Sequence, residues 1–305
     1  MTVSPMQPIR GVMAPCITPF REDGEVDEDA LASYLDFLAD HVHGIVVCAI
    51  YGSGILMRPN QRQRVAERAV EIVGTRARVL VFAGAADTDT ATQLARHAEQ
   101  IGADGVTCVA PFYYRQVDEA LFRHFKALVD AVDLPVYAYD SPVYAGNQLS
   151  FALLEHLASA GLAGVVTGAA SFGIEHLWEC IRRLQSGRLQ VLSIRDGIAL
   201  PAMMMGAVGF DSGAANFFPE LAVELYEAVT SGRYEAGTQL QKRILQFRDI
   251  SHALGRNIPT LHALIGMRGF ATGVPKRPFF PLSAKEVENL RTQLAPLGFP
   301  PEGPL

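Results

Sequence analysis

One pattern repeats eight times along this chain: a short apolar run, a small or polar loop, then an amphipathic segment. The runs are Ile9 to Ile17, GIVVCAIYGSG from Gly44, VLVFAGAADTDT from Val79, GVTCVAPFYY from Gly105, LPVYAYDSPVYAG from Leu134, GLAGVVTGAAS from Gly161, QVLSIRDG from Gln190 and AVGFDSGAANFFP from Ala207. The segments between them predict helices over Glu28–Ala39, with Asp27 as N-cap, and over Gln61–Val73, Ala91–Gln100 and Glu119–Ala131. Further helices are predicted over Phe151–Ala160, Ile174–Leu184, Ile198–Met205 and Leu221–Thr230. Continuous apolar runs are what strands look like when both faces of a parallel sheet are covered. Eight such units in about 230 residues predict an α/β chain folded as a TIM (β/α)8 barrel, rather than an open doubly wound sheet. Residues 231–305 lack strand-like runs. They read as a C-terminal helical extension: Tyr234–Gly255, Thr260–Gly269 and a last helix opened by a Ser283–Glu286 capping box.

Composition limits the partners. A net charge of −6 gives no reason to expect nucleic acid or an anionic membrane. No apolar run approaches a membrane span, and the start, MTVSPMQPIRG, lacks a signal-peptide pattern. Cys16, Cys48, Cys108 and Cys180 show no CxxC spacing. They read as buried free thiols in a cytoplasmic protein.

Barrel chemistry sits at the C-terminal ends of the strands. The polar residues there are Thr18, Tyr51, Ser53, Asp87, Tyr113 and Tyr139, followed by Asp140, Tyr144, Thr167, Arg195, Asp196 and Asn216. No His/Asp/Glu set on the strand ends suggests a metal, and no cofactor is expected. His41 and His43 form an HxH pair, but they precede the second strand, at the opposite end, and read as packing or surface groups. The Arg62/Arg64/Arg68 set reads as a solvated helix face, and Met203–Met205 as part of a buried helix. Gly52-Ser53-Gly54 is no dinucleotide fingerprint, because the third glycine is missing.

With these segments placed, the chain resembles the dihydrodipicolinate synthase / N-acetylneuraminate lyase (DapA-like) family over nearly its whole length. The resemblance rests on GVMAPCITPFREDGEVDEDAL near the start, on APFYY and YDSP after the fourth and fifth runs, on LSIRDGIALPAMMMGAVGFDSGAANFFPEL, and on the closing RPFFPLS. It implies a barrel lyase or aldolase, active as a homo-oligomer (dimer or tetramer), that works through a strand-six lysine imine with a 2-oxo acid. It implies that Tyr139 is the proton-relay tyrosine, and that Tyr113 is the tyrosine usually supplied by a neighbouring subunit. For both, the alternative is an aromatic ring filling the barrel rim.

The same resemblance exposes departures. The family's carboxylate-binding GTTGE loop corresponds to Tyr51-Gly52-Ser53-Gly54-Ile55, whose backbone N–H groups could still hold an anion. The arginine carried by members that act on aspartate semialdehyde falls at Tyr144, so a bidentate clamp is missing. This speaks against true dihydrodipicolinate synthase activity. The lysine position falls at Val166, followed by Thr167, and valine cannot form an imine. The other lysines, Lys126, Lys242, Lys276 and Lys285, lie on a barrel helix or in the extension. Arg195 reads either as a carboxylate or oxyanion partner or as half of an Arg195–Asp196 pair that shapes the loop.

The expected function is a divergent lyase, aldolase or hydratase acting on a small 2-oxo or hydroxy acid without a lysine Schiff base. Tyr139 and Tyr113 would handle protons, and Gly52, Ser53, Gly54, Tyr144, Thr167 and Arg195 would bind substrate. The alternatives are a non-catalytic metabolite-binding or regulatory pseudoenzyme, and a remnant with an unused pocket.

Overall fold

Eight parallel strands close into one barrel in sequence order. They are β1 Gly11–Pro15, β2 Gly44–Val47, β3 Arg78–Phe82, β4 Gly105–Val109, β5 Val136–Asp140, β6 Gly164–Thr167, β7 Gln190–Ser193 and β8 Gly209–Asp211. The outer ring consists of α1 Glu28–His41, α2 Pro59–Val73, α3 Thr88–Gln100, α4 Asp118–Ala131, the short α5 Pro142–Ala145, α6 Phe151–Ser159, α7 Ile174–Leu184, α8 Ala199–Met205 and α9 Pro219–Thr230. Beyond it come α10 Tyr234–His252, α11 Asn257–Met267 and α12 Ala284–Leu294. The computed structural model describes residues 9–168, 173–184 and 189–301. Ala169, Ala170 and Ser171, which close the sixth apolar run, lie outside the described residues.

The predicted TIM barrel is therefore the fold. Its strands are shorter than the apolar runs because the runs continue into buried loop residues such as Cys16 and Ile17. Of the strand residues only Arg78 is exposed, as expected when side chains fill the barrel on one face and meet helices on the other. In α1, Leu31, Tyr34, Leu35 and Leu38 form the buried stripe. Each such burial stabilises by roughly 1.5–3 kcal/mol. The helix starts follow the local chemistry. Asp27, Asp87 and Ser150 accept from the backbone N–H groups of Ala30, Thr90 and Leu153, and Ser283 with Glu286 completes the last capping box. A cap of this kind contributes about 1 kcal/mol. Asp87, at a strand end in sequence, is thus a helix cap. The barrel closes between β1 and β8, where Gly11 pairs with Gly209. A Cβ on Gly209 would lie 2.2 Å from the Gly11 oxygen, so only glycine permits that approach.

Three expectations about helix faces sort differently. His43 packs at the closed end of the barrel as predicted, its Nδ1 3.2 Å from the Val12 N–H it accepts from. Arg62 is not solvated: it is 5% exposed, and its guanidinium donates to the carbonyls of Phe82 and Gly84. It lies on the same face of α2 as Val65, Ala66 and Ala69. The Met203–Met205 segment is not wholly core, since Met204 is 57% exposed. All four cysteines are free and buried. Among the described residues no helix is long and apolar enough to cross a membrane.

The extension is more than a cover for the outer ring. α10 packs on α8 and α9, and its last turn, with the start of α11, overhangs the barrel mouth. Arg248, His252, Asn257 and Ile258 line the space above the strand ends.

Candidate active site

That space has two lobes, of about 400 Å³ and about 230 Å³. They share Ile50, Tyr51, Tyr139, Tyr144 and Asn257. The wide lobe is mostly apolar. The narrow lobe contains Arg195, Asp196, Asp211, Arg248 and His252.

Register fixes which side chains reach the mouth. Tyr139 on β5 pairs with Val166 on β6, and Val166 with Leu192 on β7. Paired residues of a parallel sheet share a face, so Val166, 3% exposed, points into the barrel with Tyr139. The next pair, Asp140 and Thr167, points outward. The Thr167 hydroxyl donates to Asp140 Oδ2 at 3.1 Å, while Asp140 Oδ1 accepts from the Leu149 N–H and His176 of α7 sits 3.5 Å from Oδ2. Thr167, expected as a substrate ligand, is a structural group behind the barrel wall. Among the described residues no lysine lines either lobe. Lys276 instead donates to the Gly24 carbonyl and lies over the Phe20 ring.

One residue missed in the sequence is Asp211. It ends β8, is 4% exposed and faces the narrow lobe. Its Oδ2 has no hydrogen-bond partner among the described residues. Burial pushes its carboxyl up to about 7; the neighbouring Tyr139 hydroxyl works against this, and the nearby Asp196 charge adds to it. Burial, and next the Asp211 charge, hold the Tyr139 phenol well above its ordinary value. Phenol and carboxyl thus form a pair whose proton affinities each depend on the other.

Arg195 and Asp196 are neighbours in sequence but differ in their contacts. Asp196 is buried and pairs with Arg248 of α10, 2.7 Å away. Its other oxygen accepts from Ser212 Oγ and the Ala214 N–H, which ties the loops after β7 and β8 to the extension. Arg195 is half-buried, lines the narrow lobe and has no anionic partner among the described residues. Burial, and then Arg248, hold His252 below its ordinary value. Neither Arg248 nor His252 was singled out in the sequence, because nothing local marks that end of α10.

The loop after β2 is folded on itself. The amides of Ser53 and Gly54 donate to the carbonyls of Ile50 and Ala49, so those two are not free to bind an anion. A Cβ on Gly54 would lie 1.7 Å from the Cys48 oxygen, which explains the glycine. Of Gly52, Ser53 and Gly54, only Ser53 lines a lobe. Tyr51 and Tyr144 border both. Tyr113 lines neither. It is 87% exposed, stands edge-on to Tyr114 and has φ of +83°, an uncommon conformation for an aromatic residue. Asn216 is taken up by Tyr34 and the Pro15 carbonyl. Among the described residues no three His, Cys, Asp or Glu side chains converge as a metal site.

A closed (β/α)8 barrel of parallel strands, with Tyr139, Asp211 and Arg195 around the space over the strand C-termini, is a TIM-barrel protein. Within that class, the chain belongs to the dihydrodipicolinate synthetase family, whose model matches residues 8–296. It is 33% identical to an uncharacterized DapA-like lyase of Halobacterium salinarum, over 95% of this chain and 94% of that protein. It is 30% identical to the 4-hydroxy-tetrahydrodipicolinate synthase of Acidiphilium cryptum, over 94% and 98%. Among solved structures it resembles YagE, a prophage protein of the dihydrodipicolinic acid synthase family from E. coli K12, in complex with pyruvate. The TM-score is 0.89 at 26% identity, covering 94% of this chain and 98% of that one. Dihydrodipicolinate synthase from Aquifex aeolicus matches with TM-score 0.89 at 28% identity, covering 96% and 100%.

Proposed function

We propose that this protein is a lyase of its family that acts on a 2-oxo or hydroxy acid without a lysine Schiff base, and that it is not a true dihydrodipicolinate synthase. The observation that carries the reading is the Tyr139–Asp211 pair beside Val166. Val166, the inward register partner of Tyr139 on β6, offers no amine, and a buried carboxyl from β8 lines the narrow lobe with Tyr139. A carboxyl pushed up to about 7 holds or releases its proton near neutral pH, as a general acid–base group must. Ionised, Asp211 takes a proton from the carbon next to the substrate carbonyl. The C–H electron pair becomes the C=C bond of an enolate, and charge moves to the carbonyl oxygen. The Tyr139 hydroxyl hydrogen-bonds that oxygen, and Arg195 holds the carboxylate. Enolate formation is the step shared by C–C cleavage and by loss of a β-hydroxyl.

The rest of the assignment is homo-oligomeric. Tyr113 lines neither lobe of its own chain and projects outward, as a residue that completes a neighbour's site would. The second reading, a non-catalytic binding or regulatory member, draws on the β2 loop, whose Ser53 and Gly54 amides are internally bonded. Deuterium exchange at C3 of 2-oxobutanoate in D2O, followed by proton NMR, separates the two. A lyase of this kind exchanges C3 faster than buffer does, with a rate rising through about pH 7. Exchange at the buffer rate sinks the catalytic reading.

A further inference from the structure

The cavity over the strand ends is larger and more apolar than a three-carbon oxo acid needs. The wide lobe, of about 400 Å³, is walled by Ile50, Phe82, Val109, Phe112, Ile258 and Phe279. Arg256 borders it, but its guanidinium is engaged elsewhere: with Glu286 at 3.0 Å, with the carbonyls of Phe280 and Pro281, and over the Phe280 ring. The narrow lobe holds Arg195 and Asp211, and among the described residues the first has no anionic partner and the second has one oxygen without a partner. Tyr51, Tyr139 and Tyr144 stand where the lobes meet. Sites built this way bind a molecule with an apolar body and a few polar groups that fix its orientation. A polyhydroxylated acid would bury hydroxyls against the apolar wall without partners, which is costly.

We infer that the substrate is a carboxylic acid with an aromatic or branched aliphatic body. Its carboxylate lies against Arg195 in the narrow lobe, its reacting carbon beside Tyr139 and Asp211, and its body in the wide lobe. The inference rests on the lyase reading for the chemistry and on the two lobes for recognition. Ile55 and Leu56 form the solvent-exposed rim of the wide lobe, so they can be changed without opening the core.

Isothermal titration with pyruvate and phenylpyruvate as probes tests it. Phenylpyruvate is expected to bind about 10-fold tighter or more, since each apolar group well housed in a pocket contributes on that scale. Ile55→Glu, with its fold checked by thermal melting, is expected to remove most of that preference by weakening phenylpyruvate far more than pyruvate. Arg195→Gln is expected to weaken both acids by the same factor. Equal affinities, tighter binding of pyruvate, no binding of phenylpyruvate, or a rim variant that weakens both acids alike would overturn the assignment. The deuterium-exchange result is read separately. Preference for phenylpyruvate without exchange at C3 of 2-oxobutanoate counts against the lyase reading only, and exchange without the preference counts against the substrate class only.

Discussion

Tyr137 and Tyr139 stand two residues apart on β5, on the same inward face, and have opposite surroundings. Tyr137 lies toward the closed end of the barrel. Its hydroxyl accepts from the Ile9 N–H and donates to Gln190 Oε1, and Gln190 Nε2 returns to the Ile9 carbonyl. Nearby, His43 is fixed by Val12 and stands edge-on to Tyr226. At the mouth, Tyr139 faces Asp211, whose Oδ2 is unpartnered among the described residues. Buried polar groups are nearly always paired, and in barrels of this type the closed end serves stability while the strand C-termini serve chemistry. The difference between the two tyrosines is thus that the Tyr137 hydroxyl is engaged on both sides within the fold, whereas Tyr139 stands beside a buried carboxyl with an oxygen that no described residue pairs.

The largest expected effect sets the two against each other. Tyr139→Phe should lower the C3 exchange rate about 100-fold or more, the usual scale for losing a positioned proton donor. Tyr137→Phe should leave the rate within about two-fold, as an acid–base role confined to the mouth requires. Similar losses in both would erase the comparison.

Next in size is the pH dependence of stability. The folded Asp211 carboxyl is raised to about 7, well above the unfolded carboxyl value near 4. Its contribution is therefore full at about pH 4 and is lost as pH rises through about 7, because the folded state holds the proton more tightly. Asp211→Asn should melt like the parent at pH 4.5 and be more stable at pH 8.5, by on the order of 2–4 kcal/mol. A constant difference across that range would show that the carboxyl is not held protonated by burial. Buried His124 and His262, both lowered to about 4 by burial, act with the opposite sign: their contribution is present above about pH 6.5 and falls as pH drops toward 4. The comparison with Asn removes that common background.

Smaller still, Tyr137→Phe should cost about 1–3 kcal/mol in urea unfolding, since it leaves the Gln190 and Ile9 groups without their partner. The least effect is expected from Tyr113→Phe, within about 0.5 kcal/mol for an exposed ring. A large loss of stability there would mean that the hydroxyl is held in a structural contact rather than left for a neighbouring site.

The barrel was legible because its signals are local. Apolar runs, Asp27 as a cap and the Ser283–Glu286 box each act within a few residues, and all appear as read. Arg62 was misread by charge, although its spacing from Val65, Ala66 and Ala69 marks the buried face. The mouth was legible only in part. Tyr139, Tyr144 and Arg195 reach it, whereas Thr167 falls on the wrong side of the strand alternation and the loop amides satisfy their own carbonyls. Asp211 carried a usable signal, an acid two residues beyond Gly209 in a buried strand. Arg248 and His252 carried none, because their place depends on how α10 crosses the barrel, a contact between elements distant in sequence.

Borohydride trapping tests the central claim most directly. The protein is incubated with pyruvate, reduced, and its intact mass and peptides are measured. With Val166 on the inward face of β6 and no lysine lining either lobe, the mass should stay that of the unmodified chain, while C3 exchange of 2-oxobutanoate proceeds. A reduced pyruvate adduct on any one lysine in stoichiometric yield would contradict the account.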